Sequence, residues 1–267
     1  MNTLMQGETQ TKGPMLGWQG GKKRLALPII ERIPDHTAYC EVFAGAAWVL
    51  FKKPPSRVEV INDINRDLVT LYRCVKHHLT AVVEQFRWML VARDEFERFM
   101  ATPPEVLTDV QRSARFYYLM KNGFGAKVHK QTFGYSVTQP PRFNLLRIEE
   151  DLSAAHLRLA RVLIECRPYA EVLERYDRAG TFFYLDPPYW DCENDYGPGL
   201  FSREDFTRLA ELLATRKGKF IMSLNDTPGV REVFSAFHIE PVRTRYTMGA
   251  RTPTKAVGEV LISNFKP

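Results

Sequence analysis

At 267 residues, 45% hydrophobic and 25% charged, the chain has the composition of an ordinary globular protein and room for one large domain or a core with an insertion. Four dispersed cysteines, Cys40, Cys74, Cys166 and Cys192, have no CxxC spacing and exclude a zinc knuckle or a disulfide framework. The first fifteen residues hold no signal-peptide block and no apolar run reaches membrane-spanning length, so a cytoplasmic protein without membrane association is expected, and the net charge of +6 favours a polyanionic partner.

Strand and helix patterns alternate at both ends of the chain. "AYCEVFAGAAWVLF" reads as a strand to Phe43, a tight turn at Gly45 and a helix, and "RVEVIND" as a second strand over 57–61 that ends at Asn62 and Asp63. From Leu68 the apolar spacing becomes helical and continues to about Tyr176, with breaks at "TPPEVLTD" and "TQPPRF" and no strong strand signal. Strand texture returns in "TFFYL". A helix, a break at Gly218 and a strand ending near Asn225 follow, then "VRTRYTMG" and "GEVLISNF" as a final strand pair. The pattern predicts an α/β protein with a Rossmann-like sheet divided in two: residues 1–75 and 177–267 form the catalytic domain, and 76–176 a helical insertion.

Three stretches carry chemistry. Between Gln111 and Arg147 there is no acid, while basic residues such as Lys121, Lys127, Lys130 and Arg142 interleave with aromatics. Cations neutralise phosphates and flat rings stack on bases, so this stretch reads as a nucleic-acid surface; the competing reading is a helical core, with "RFYYLM" packed inside. Gly45 permits close backbone approach after a strand, and Asp63 stands where an acid accepts from ribose hydroxyls; lacking G-x-G-x-x-G, "FAGAAW" argues for a nucleoside ligand other than NAD. In "FFYLDPPYW" a buried strand stops at Asp186, followed by Pro187 and Pro188, which have no backbone donors, and Tyr189, which offers a ring face. A loop made of acceptors suits an exocyclic amine: two acceptors bind its hydrogens and free its lone pair for an electrophile, and a duplex base must leave the stack to arrive there. As a surface loop, it is expected to lose Asp186 without loss of folding.

From "GWQGGKKRLALPIIERIP" through "EVFAGAAWVLF", "NDINRDLVTLYRCVK" and "FYLDPPYW" to "GEVLISNF", the chain resembles the Dam-type (D12 class) DNA adenine N6-methyltransferases over nearly its whole length. The resemblance implies a Rossmann-like methyltransferase fold with a helical target-recognition insertion, S-adenosylmethionine as methyl donor, no metal, and double-stranded DNA as partner with no obligate protein partner. It implies that Trp18, Lys22, Asp63 and Asp186 hold the cofactor and that Asp186, Pro187 and Tyr189 receive a flipped adenine; Phe43 and Gly45 at the first turn are further cofactor candidates, Pro188 a further loop candidate, and Lys121, Asn122, Lys127, Lys130 and Arg142 the candidates for DNA contact. A bacterial or phage origin, in restriction-modification or regulation, is implied too. Two departures stand out: Ala47 replaces the last glycine of F-x-G-x-G, tolerable unless the position needs positive φ, and "QTFGYS" replaces F-N-V-P-x-G, so GATC recognition is not assigned. Readings left open are a cytosine-N4 enzyme, an RNA or protein-amide methyltransferase, and a non-catalytic DNA-binding relative.

Overall fold

The structure is a computed structural model that describes residues 13–138, 143–242 and 258–267. The amino-terminal part runs α1 (Ala26–Ile30), β1 (Ala38–Glu41), α2 (Trp48–Lys52), β2 (Val58–Asn62) and α3 (Arg66–His77). Four helices follow, α4 (Leu79–Phe86), α5 (Arg93–Ala101), α6 (Asp109–Asn122) and α7 (Leu145–Leu159). The chain then returns through β3 (Val162–Glu165), α8 (Tyr169–Tyr176), β4 (Thr181–Leu185), α9 (Arg203–Ala214), β5 (Lys219–Asn225), α10 (Pro228–Val233), β6 (His238–Val242) and β7 (Glu259–Ser263).

The seven strands form one sheet in the order β3-β2-β1-β4-β5-β7-β6, parallel except that β7 runs antiparallel to both of its neighbours. Both faces are covered, and period-two alternation divides the central side chains between them. Tyr39, Phe182 and Tyr184 join the core beneath α1, α2, α3, α6 and α7, while Cys40, Phe183 and Leu185 join the core beneath α8, α9 and α10. This double coverage explains why β4 is a continuous run of large side chains from Phe182 to Leu185: all of β4 is buried.

The structure moves one expected boundary. β3 lies inside the 76–176 segment that reads as all-helical, yet it pairs in parallel with β2 and belongs to the sheet. It is a four-residue edge strand with Leu163 exposed, too short and too open to carry a strand period. β6 is the other edge, where Pro241 is tolerated because an edge strand has one side without ladder bonds. Of the strand expected over 242–249, Val242 ends β6 and the remainder lies outside the described residues.

The helical segment is anchored through α6. A capping box of Thr108 and Gln111 starts the helix, and its residues from Ser113 to Met120 are buried without a break. Phe116, Tyr117 and Tyr118 are therefore core, packed with Phe86, Phe99, Phe143 and Trp18. Arg112 and Arg115 both turn to Asp67 in the first turn of α3. Half of the basic and aromatic signal in this stretch thus arises from packing, and the competing core reading holds for "RFYYLM".

Candidate active site

The strand order reverses between β1 and β4, and a cleft opens outside their carboxyl ends, the position where open α/β sheets bind ligands. It encloses about 750 Å³ including its mouth, and Trp18, Lys22, Glu41, Gly45, Asp63 and Asp186 contribute to its lining. Segments distant in the chain meet here because β1, β2 and β4 are adjacent in the sheet.

The turn after β1 is held from below and from the side. Gly45 has φ 47°; its N–H donates to Asp63 Oδ2 (2.9 Å), and its carbonyl accepts from the Tyr72 hydroxyl (2.7 Å). The N–H of Asn65 donates to Asp63 Oδ1 (2.8 Å), so the acid at the end of β2 is fixed at both oxygens. Burial raises the Asp63 pKa, and these backbone donors oppose the rise. Ala47 has φ 55° and ψ 45°, so the position where alanine replaces the family's glycine does adopt the left-handed conformation.

Behind β4, Lys22 Nζ pairs with Asp186 Oδ1 at 2.7 Å, donates to the Gly20 carbonyl (2.8 Å) and lies 4.6 Å from the centre of the Tyr189 ring. Ser223 Oγ donates to the same Asp186 oxygen at 3.0 Å. Burial pushes the Asp186 carboxyl up, and the Lys22 charge and the Ser223 hydrogen bond pull it back. The rest of the loop is fastened to the neighbouring strands: the Tyr189 hydroxyl donates to Glu259 Oε1 (2.6 Å), and Asn225 takes the Trp190 N–H and returns a hydrogen bond to its carbonyl (2.9 and 3.0 Å). With Asp186 side-chain exposure at 20% and Lys22 at 3%, the loop is not the free surface turn expected from sequence. The segment after it folds back over the cleft, where Tyr196 stacks on Trp18 and donates to the Gln19 carbonyl, and Gln19 donates to Asp195.

Trp18, Lys22, Phe43, Gly45, Asp63, Asp186 and Pro188 all line the cleft; Pro187 is buried behind it, and Tyr189 is reached through Lys22. The DNA candidates separate. Lys127 and Lys130 are exposed, Lys121 is half-buried over Tyr117, and Asn122 is buried with its amide donating to the Tyr118 carbonyl. Arg142 lies outside the described residues. Lys127 directly follows Ala126, whose carbonyl accepts from the N–H of Gln19, the residue next to Trp18 of the cleft. Glu41 is a charged lining residue that the sequence motifs do not single out; the uncharged Trp48, Asn65, Tyr184, Tyr196 and Phe201 are others. Glu41 Oε2 accepts from the Tyr39 hydroxyl (2.8 Å) and the Leu50 N–H (3.0 Å), and its pKa is pushed up to about 8, first by burial and further by the Asp186 charge. An acid inside a strand of otherwise apolar residues was the available signal.

A mixed seven-stranded sheet with a cleft at its switch point is an α/β ligand-binding architecture. The chain belongs to the D12 class of N6 adenine-specific DNA methyltransferases, whose family model matches residues 18–248, and so uses S-adenosylmethionine to methylate adenine in DNA. It is 28% identical to the type II methyltransferase M.CviBI of Paramecium bursaria Chlorella virus NC1A, over 84% of this chain and 87% of that one. It is 25% identical to the type II methyltransferase M1.LlaDCHI of Lactococcus lactis subsp. cremoris, over 99% of each, and 25% identical to the DNA adenine methylase of Escherichia coli K12, over 94% and 95%. Among solved structures, an S-adenosylmethionine-dependent O-methyltransferase from Thermotoga maritima aligns with 91% of this chain and 65% of that one, at 9% identity and a TM-score of 0.36.

Proposed function

We propose that the cleft holds S-adenosylmethionine and that the Asp186–Tyr189 loop receives an adenine flipped out of double-stranded DNA. The reading rests on one observation above others: Lys22 from the amino-terminal turn and Asp186 from the end of β4 meet as an ion pair beside Asp63. The donor set fits the cofactor. Asp63 and Asp186 against one lysine, with Glu41 adding a third negative charge as it ionises near pH 8, give the lining an excess of negative charge that suits a ligand with a sulfonium and an ammonium group. Asp63 keeps lone pairs for the ribose hydroxyls, and Glu41 offers its second oxygen to a cation. When bound, the cofactor supplies an electrophilic methyl group.

The chain's own residues prepare the nucleophile. Asp186 and the carbonyl of Pro187 accept the two N6 hydrogens, which draws the nitrogen towards a tetrahedral form and frees its lone pair. Tyr189, tethered through Glu259 and with Lys22 over its ring, is the aromatic side chain of the loop on which the base stacks. Stacking of ~1–3 kcal/mol offsets part of the few kcal/mol that flipping costs. Lys127 and Lys130, both exposed, neutralise backbone phosphates. The recognition segment is the helical stretch 76–161, after which the chain re-enters the sheet at β3. No helix among the described residues is long and apolar enough to cross a membrane. Cys40, Cys74, Cys166 and Cys192 are free thiols, which supports a reducing, cytoplasmic setting.

Transfer from labelled S-adenosylmethionine to unmethylated plasmid, with digestion to nucleosides, tests the reading. Label on N6-methyldeoxyadenosine in wild type and its loss in Asp186→Asn are expected; an active Asp186→Asn variant overturns the assignment of the loop. Mapping the labelled positions supplies the target sequence.

A further inference from the structure

The Asp186 carboxylate is divided between two tasks. Its Oδ1 is occupied twice, by Lys22 Nζ at 2.7 Å and by Ser223 Oγ at 3.0 Å, while no hydrogen bond from the described residues reaches Oδ2. Ser223 lies on β5, next to β4, and is fully buried. Its single hydroxyl proton must point at Asp186, because an ionised carboxylate has none to give. The contact between Ser223 Oγ and the Tyr184 hydroxyl (2.9 Å) therefore has Tyr184 as donor. Tyr184 is itself buried, and its pKa is raised well above its usual value, first by burial, so its proton stays in place. The chain of donors runs one way, from Tyr184 to Ser223 to Asp186.

We propose that Ser223, backed by Tyr184, is a positioning residue for methyl transfer: it holds Asp186 by Oδ1 and so reserves Oδ2 for the N6 hydrogen of the target adenine. A carboxylate held at one oxygen only by a lysine pivots about that contact, whereas two donors from different directions fix its plane. Lys22 comes from the amino-terminal turn and Ser223 from β5, so the two constraints are independent. The inference rests on Asp186 as the acceptor for the target amine.

Single-turnover transfer with cofactor and DNA prebound measures the step. Ser223→Ala is expected to slow it by about 10–100-fold, the loss associated with a hydrogen bond to a charged group, with dissociation constants for S-adenosylmethionine and DNA changed less than about threefold. Ser223→Thr, which keeps the hydroxyl, is expected to recover most of the rate. A merely structural serine would not move the pH profile, so its acid limb is the deciding readout. Ionised Asp186 loses a donor in Ser223→Ala, and the limb moves to higher pH. Lys22, Glu41, Glu259, Tyr184, Tyr189 and Tyr196 face or influence Asp186 electrostatically and are common to both proteins, so the difference isolates Ser223. If Ser223→Ala folds poorly, Tyr184→Phe applies the same test one step back: a slower transfer and a limb shifted the same way are expected. A wild-type rate, or a slower rate with an unmoved acid limb, overturns the proposal. An active Asp186→Asn variant overturns the underlying site assignment instead, so the two failures are distinguishable.

Discussion

The indole of Trp18 fills the space that a side chain at Gly45 would need: a Cβ built on Gly45 would stand 2.7 Å from Trp18 Nε1. The two residues come from different motifs, and the glycine also holds φ 47°, where an L side chain is strained. Gly45→Ala is therefore expected to push Trp18 and Tyr196 out of their stack and to weaken S-adenosylmethionine binding at least about tenfold, with a stability loss of ~1–2 kcal/mol from the backbone conformation. Isothermal titration and urea unfolding check both parts; unchanged binding would remove the close approach as a requirement.

Ala47 shows the reverse case. At φ 55° the alanine adopts a conformation that glycine adopts freely, and Ala47→Gly is expected to leave activity intact and raise stability by up to ~1 kcal/mol. The gain is limited because glycine has more freedom to lose on folding and Ala47 is buried. A lower urea midpoint in the variant would contradict strain at this site.

Removing the Asp186 charge separates chemistry from folding. Asp186→Asn keeps an acceptor for Lys22 and is expected to lower transfer at least about 100-fold. Asp186→Ala leaves the buried Lys22 ammonium without its ion-pair partner, with the Gly20 carbonyl, the Tyr189 ring and the more distant Glu259 carboxyl remaining, and is expected to cost up to about 3 kcal/mol of stability as well. Equal unfolding midpoints for the two variants would argue against this coupling.

Acidity at Glu41 gives a pH signature. Its folded-state pKa lies at about 8, above the ordinary 4.5, so between these values the native state retains a proton that the unfolded chain has released. Stability of the cofactor-free protein is expected to fall as pH rises through that window and to level off above it, with Glu259, pushed up to about 7 first by burial, acting in the same direction. Binding of the cationic cofactor should strengthen from pH 7 to 9 by roughly tenfold as Glu41 ionises. Glu41→Gln is expected to flatten both dependences, as measured by thermal unfolding and titration at several pH values.

Lys127 tests the DNA face. Lys127→Ala should weaken DNA binding across sequences and reduce the slope of log affinity against log salt by ~0.9, the value for one phosphate. An unchanged slope would move the interface elsewhere.

The sheet and the cleft at its carboxyl edge were legible because their signals are local. A strand that stops at Asp186, a small turn at Gly45 and an acid at Asp63 each announce a position at the sheet's carboxyl edge, and strand adjacency brings them together. Three features escaped for different physical reasons. β3 is a short edge strand with little periodicity. Glu41 looks like one polar residue in an apolar run until its neighbours are known. Composition between 111 and 147 could not distinguish aromatics that pack, such as Tyr117 and Tyr118, from cations that face solvent, such as Lys127 and Lys130.

The separation of β1 from β4 also has a consequence for how the chain is made. β1 receives β2 on one edge soon after synthesis, but its other edge pairs with residues 181–185, beyond the whole helical segment. At 5–20 residues per second the ribosome needs on the order of 10 s to deliver that partner. During this interval the central strand presents an open hydrogen-bonding edge, and Lys22 has not met its carboxylate. The nascent protein should therefore depend on chaperone shielding more than its finished stability implies, and ribosome-stalled chains ending before β4 should be the species such helpers capture.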